Sequence, residues 1–231
     1  MTANRKGPPP ALPSPPLGKV FRNLFRAWGP QHWWPGRTRL EVVVGAILTQ
    51  NTNWANVEKA IANLRRKRLL SVRALLATPV NTLSEAIRPA GYYNQKAERL
   101  KAFAGFLQQR YGGSLHRMFC DSTPELRQRL LSVPGIGPET ADSILLYAAR
   151  RPVFVVDSYT RRALKRHGWI RGNETYDEIA ALCEKELPAE VQLLNELHAL
   201  FVRLGKTHCR TQPRCRGCPL EKLLPPKGPV Q

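Results

Sequence analysis

From Lys19 onward the apolar positions of the chain recur with helical spacing. Leu40–Leu48 (LEVVVGAIL) is an unbroken apolar run that fits a strand or a buried helix. A helix is the better reading, because no second β-rich run offers a partner. Val57, Ile61 and Leu64 continue on one helical face, and Thr82–Ile87 predicts a short helix stopped by Pro89 and Gly91. In Asn94–Arg110, Ala97, Leu100, Phe103 and Leu107 line one face before the stop signal Tyr111-Gly112-Gly113. Thr123-Pro124-Glu125 predicts a helix start with a capping hydroxyl. Pro138-Glu139 and Asp157-Ser158 open further helices, the second running to His167-Gly168. Asp177–Leu187 and Val191–Leu204 complete the set. Val153–Val156 carries the main strand signal, so the predicted fold class is all-α.

Composition narrows the partners. Lys+Arg total 36 against 17 Asp+Glu, a formal net charge of +19 in 231 residues. Such an excess points to a polyanion, nucleic acid first. The basic residues are spread along the chain rather than gathered on one amphipathic segment, which argues against a membrane surface. No run of about 18 apolar residues predicts a membrane span. The opening MTANRKGPPPALPSPPLG has no apolar core like a signal peptide and reads as a disordered, proline-rich leader over residues 1–18. Five cysteines, three of them near the C-terminus, fit a reducing compartment better than a disulfide framework. The expected location is the cytoplasm, with the nucleoid.

Between two predicted helices lies Val133-Pro134-Gly135-Ile136-Gly137. The glycines permit a tight turn and leave backbone N–H groups bare, and the next helix adds its positive end. Gly135, Ile136 and Gly137 are therefore candidate contacts to a DNA phosphate, made without reading sequence. A plain glycine turn between packed helices has the same local pattern; Pro138 and the charge excess favour DNA. Downstream, Val153–Val156 delivers Asp157 to a helix start. Helix capping alone is a sufficient reason for aspartate there.

Hairpin, helix and then VVD resemble the helix-hairpin-helix DNA glycosylases of the endonuclease III superfamily, over about residues 20–220. HWWP at His32–Pro35, LTQNTNW at Leu48–Trp54, RPAGYYNQKAERL at Arg88–Leu100 and GIGPETADSILLYA at Gly135–Ala148 are similar to the 3-methyladenine DNA glycosylase III branch. The resemblance implies two helical lobes with the active site in a cleft between them. A six-helix barrel is expected over residues 39–150, containing the helix-hairpin-helix at 124–150. Residues 19–38 and 151–231 are expected to form the terminal lobe. It also implies a monomer acting on double-stranded DNA that contains damaged bases.

The resemblance makes Asp157 the catalytic carboxylate. Glu139 occupies the position where bifunctional relatives carry a lysine that forms a Schiff base; a carboxylate cannot form an imine. That implies a monofunctional glycosylase of alkylated purines such as 3-methyladenine. Trp34, Pro35 and Trp54 would line the base pocket, with core packing as the plainer role of Trp33, Trp34 and Trp54. Lys206 would approach that pocket, or be an ordinary solvent-facing lysine. Gln50 lies in the loop that fills the gap left by a flipped base, and Lys96 is a candidate phosphate contact at a helix start. Two other functions stay open: an endonuclease III-like lyase on oxidised pyrimidines, or a mismatch-directed glycosylase, and a non-catalytic DNA-binding scaffold.

Cys209, Cys215 and Cys218 are spaced C-x5-C-x2-C. The resemblance implies a [4Fe–4S] cluster held by four cysteines. Here the first gap is a residue short and Leu224 stands where the fourth cysteine is expected. His208 is a candidate substitute ligand, for iron or for zinc. Cys120 and Cys183 are expected to be buried small hydrophobes.

Overall fold

The computed structural model of the chain describes residues 12–231; the proline-rich leader expected over residues 1–18 lies mostly outside them. Among the described residues there are helices and no strands. The helices are α1 (Leu17–Trp28), α2 (Arg39–Leu48), α3 (Trp54–Arg66), α4 (Val72–Ala77), α5 (Val80–Ala86) and α6 (Tyr93–Tyr111). They continue as α7 (Leu115–Met118), α8 (Thr123–Leu131), α9 (Pro138–Ser143), α10 (Ser158–Arg166), α11 (Tyr176–Lys185) and α12 (Val191–Thr207). Leu17 is buried at the start of α1, so the helix takes in the end of the expected leader. The apolar run Val153–Val156 lies in extended coil, because no neighbouring strand pairs with it.

The described chain divides into two compact units. One comprises residues up to Gln31 with Val156–Pro188 and Leu197–Gln231; the other comprises His32–Val155 with Ala189–Glu196. The larger unit is built on α2, whose residues Glu41–Leu48 are buried all round. Its core adds Leu64 from α3, Leu83 from α5, Leu100, Phe103 and Leu107 from α6, and Leu130 from α8. The all-round burial of α2 explains why its sequence shows no alternation. In the other unit the buried positions include Leu24 of α1, Leu164 of α10, Ile179 of α11 and Phe201 of α12.

Caps fix the helix starts. Thr38 Oγ1 accepts from the Glu41 N–H at α2, and Ser71 Oγ from the Ala74 N–H at α4. At α8 the capping residue is Ser122 rather than Thr123, its N–H and hydroxyl both donating to the Glu125 carboxylate. A 3₁₀ turn over Arg88–Ala90 takes in Pro89, which was expected only to stop the preceding helix. After α9 the backbone widens into a π-turn over Ile144–Ala148.

Candidate active site

In the larger unit, four aromatic rings gather beside α2. Trp34 lies 4.9 Å from Trp54 and 4.8 Å from Tyr147, and Trp33 lies 5.3 Å from Trp54, centroid to centroid. Gly45 of α2 makes this possible. A Cβ there would stand 3.1 Å from Trp34 Nε1 and 3.3 Å from Trp54 Cη2, so only glycine lets both rings rest on the helix. The segment carrying Trp33 and Trp34 is tied down just beyond them. Gly36 N–H donates to Trp34 O, and Arg37 N–H donates to the Glu41 carboxylate. That carboxylate also pairs with Arg65 at 2.8 Å.

The three tryptophans are half-buried, and they do more than fill the core. The Nε1 atoms of Trp33, Trp34 and Trp54 are all shielded from solvent with no hydrogen-bond partner among the described residues. A shielded donor left unpaired costs about 1–3 kcal/mol, so three in one cluster call for an explanation beyond packing. Pro35 is exposed at the edge of this segment.

The hairpin between α8 and α9 lies in the same unit. Gly135 has φ +84° and is packed against Arg99; a Cβ on it would meet Arg99 Cγ at 2.4 Å. Gln50 joins the two segments: its Nε2 donates to Gly135 O at 3.1 Å and to Thr140 Oγ1 at 2.8 Å, while Arg99 donates to its Oε1. Gln50 is thus engaged with the hairpin rather than projecting freely. Gly135 and Gly137 are exposed, but Ile136 is not. Its side chain is only 4% exposed in the core and its N–H donates to Val133 O, so the expected Ile136 contact to DNA is withdrawn. Glu139 stands exposed in the first turn of α9.

Lys96 corrects a second expectation. It is fully buried, at 0% exposure, and cannot reach a phosphate. Its Nζ donates to Leu48 O at 3.0 Å and Ala90 O at 2.8 Å. It therefore ties the end of α2, where the loop bearing Gln50 begins, to the turn before α6. Burial, with the nearby Arg99 charge, lowers its pKa to about 8.

The other unit holds Asp157, buried as the cap of α10. Its Oδ1 accepts the Thr160 N–H at 2.7 Å, and its Oδ2 lies 3.7 Å from His198 Nε2. His198 comes from the buried face of α12, and burial pushes its pKa down against the opposing pull of Asp157. A lone histidine in an apolar helix gave no signal in the sequence that it would meet this carboxylate. Arg99, Tyr147 and Gly45 were equally silent. Lys206 is exposed near the end of α12.

Cys209, Cys215 and Cys218 line one pocket, with Leu224 in its wall as well. A [4Fe–4S] cluster needs four protein ligands. Three thiols and a leucine do not supply them, and no group of three His, Cys, Asp or Glu side chains among the described residues is placed to hold a metal ion. His208 Nδ1 instead meets Thr207 Oγ1 at 2.9 Å. The residues present do not fit the cluster. Elsewhere Cys183 is buried, its thiol pushed up to about 12, whereas Cys120 is exposed, against expectation.

An all-helical chain with a glycine hairpin, a capped and buried aspartate one helix on, and an aromatic cluster defines a class: the helix-hairpin-helix DNA glycosylases. Residues 44–189 match the family model "HhH-GPD superfamily base excision DNA repair protein", and the chain belongs to that superfamily. It is 48% identical over 206 residues to "Putative DNA repair glycosylase MJ1434" of Methanocaldococcus jannaschii, covering 89% of this chain and 94% of that one. It is 30% identical to endonuclease III of Thermotoga maritima, covering 77% of this chain and 78% of the relative. The crystal structure of H. pylori 3-methyladenine DNA glycosylase (MagIII) bound to 1,N6-ethenoadenine superposes with a TM-score of 0.71 at 30% identity. That match covers 83% of this chain and 95% of the other. No helix of the described residues is long and apolar enough to cross a membrane.

Proposed function

We propose that this chain is a monofunctional DNA N-glycosylase that releases alkylated purines from duplex DNA. The observation that carries the reading is the aromatic cluster on Gly45. Alkylation at a purine ring nitrogen leaves the base cationic, and a cation over an electron-rich ring gains roughly 0.5–2 kcal/mol, more when desolvated. The unpaired indole N–H groups of Trp33, Trp34 and Trp54 offer donors to the acceptor atoms of an entering base. The likeness to a 3-methyladenine DNA glycosylase bound to an ethenoadenine supports the same substrate class.

The damaged base is taken out of the stack. As the N-glycosidic bond breaks, its electron pair leaves with the base and positive charge develops on the deoxyribose. The Asp157 carboxylate stabilises that charge, and accepts the proton of the water that adds at C1′. An alkylated purine departs neutral, so no strong acid is required to protonate it. The half of Asp157 held by the Thr160 N–H fixes the carboxylate; the other oxygen remains for the reaction. Glu139 carries no amine, so the product is an abasic site in an uncut strand. The net charge of +19 supplies phosphate affinity that weakens steeply with salt.

The test uses two duplex substrates, one methylated and one oxidised. Released bases are identified by chromatography and nicking is followed on gels without alkali. Free 3-methyladenine with no nick supports the reading. Release of oxidised pyrimidine with a nick would mean that another amine replaces the missing lysine. Binding without any base release would favour the scaffold reading.

A further inference from the structure

In superfamily members with a [4Fe–4S] cluster, four cysteine sulfurs bound to the iron draw the C-terminal loop together. This chain lacks one of them, yet its loop is closed by a dense set of hydrogen bonds. Two arginines one turn apart on α10 reach it. Arg162 Nε donates to Cys209 O at 2.7 Å. Arg166 uses both terminal nitrogens: Nη2 donates to Thr211 O at 2.6 Å, and Nη1 donates to Arg210 O at 2.5 Å and to Cys209 Sγ at 3.4 Å. The backbone carbonyl of Arg166 also accepts the Val230 N–H at 2.9 Å, so one residue holds both the loop and the chain's end.

The rest of the loop closes on itself. Arg214 N–H donates to His208 O at 2.8 Å, and Cys218 N–H to Cys215 O at 2.9 Å. Gly217, at φ +75°, donates its N–H to the Glu221 carboxylate. Leu220 is fully buried beneath. We infer that Arg162 and Arg166 are the positioning residues of a metal-free loop, and that their guanidinium groups do the mechanical work a cluster does in other members.

The chemistry suits the task. A guanidinium is rigid and permanently charged, and its fork can fix two successive carbonyls at once. Its hydrogen bonds are charge-assisted and about twice as strong as neutral ones. By donating to the Cys209 sulfur, Arg166 also occupies the atom that a metal would need. The loop so held exposes Arg210, Arg214 and Arg216, three cations available to a polyanion.

The test requires no substrate, so it stands apart from the glycosylase reading. The full chain is produced in iron- and zinc-replete cells, purified without oxygen and analysed for both metals. Iron and zinc at background are expected. Iron approaching four per chain, with the visible absorbance of a cluster, or zinc approaching one per chain, would overturn the inference. Hydrogen exchange is then followed at the amides of residues 208–218. Arg166→Met should raise local opening by on the order of tenfold or more, and Arg166→Lys by less, since lysine keeps the charge but not the fork. Should Arg166→Met fail to fold, Arg166→Lys and Arg162→Lys give the same readout. Exchange unchanged in the folded variants would equally overturn it.

Discussion

Each unit buries a charged side chain, and the two are used differently. Lys96, in the larger unit, donates to the carbonyls of Leu48 and Ala90, tying the backbone at two places. Asp157, in the other, gives one oxygen to the backbone and holds the second 3.7 Å from His198. Burying an ion is costly, and it persists only where partners offset the cost. The lysine's partners are backbone carbonyls, so it is a strut. The aspartate keeps an oxygen uncommitted to the backbone, as a group that does chemistry must. What a buried charge does with its remaining valence separates structure from reactivity here better than burial itself.

The largest effect that would break this contrast is at the aspartate. Asp157→Asn keeps the cap, because asparagine is as good at that position, but loses the negative charge. Base release should fall by about 10²–10³-fold with Tm nearly unchanged, read from single-turnover release and thermal unfolding. A variant as active as the wild type would remove Asp157 from the reaction.

The tryptophans come next. Trp54→Leu should lower the single-turnover efficiency on a cationic alkylpurine by roughly 2–30-fold, the equivalent of about 0.5–2 kcal/mol. An uncharged lesion base should suffer less. Equal losses on both would assign Trp54 to packing alone.

The strut gives a smaller, pH-dependent signal. Lys96 titrates at about 8 in the fold against 10.5 when unperturbed. Between those values the unfolded chain binds more protons, so this group makes stability rise with pH from about 8 to 10.5. Denaturant titrations across that window should show the rise in the wild type and its loss in Lys96→Met. The smallest effect is expected at exposed Glu139: Glu139→Gln should leave base release within about threefold and stability within about 0.5 kcal/mol.

Most of the helices were legible in the sequence, since apolar positions at helical spacing gave α3, α6, α11 and α12 to within a few residues. Gly45 was not, because a glycine inside an apolar run is silent about what rests on it. Lys96 read as a surface group because a lysine is almost never fully buried unless paired, and the paired carbonyls belong to residues distant in the chain. Ile136 read as part of the DNA contact because the hairpin pattern marks the turn and not which atoms face outward. Asp157 was legible as a cap, while His198, some forty residues on, could be placed beside it only by the fold.

The arginine clamp has a consequence for supply. A protein whose loop is held by iron is finished only when a cluster is delivered, and it is undone by whatever strips or oxidises that cluster. Here Arg162, Arg166 and the carbonyls they bind are all translated with the chain. The protein is complete on folding, so its abundance should track synthesis alone and hold steady in cells starved of iron.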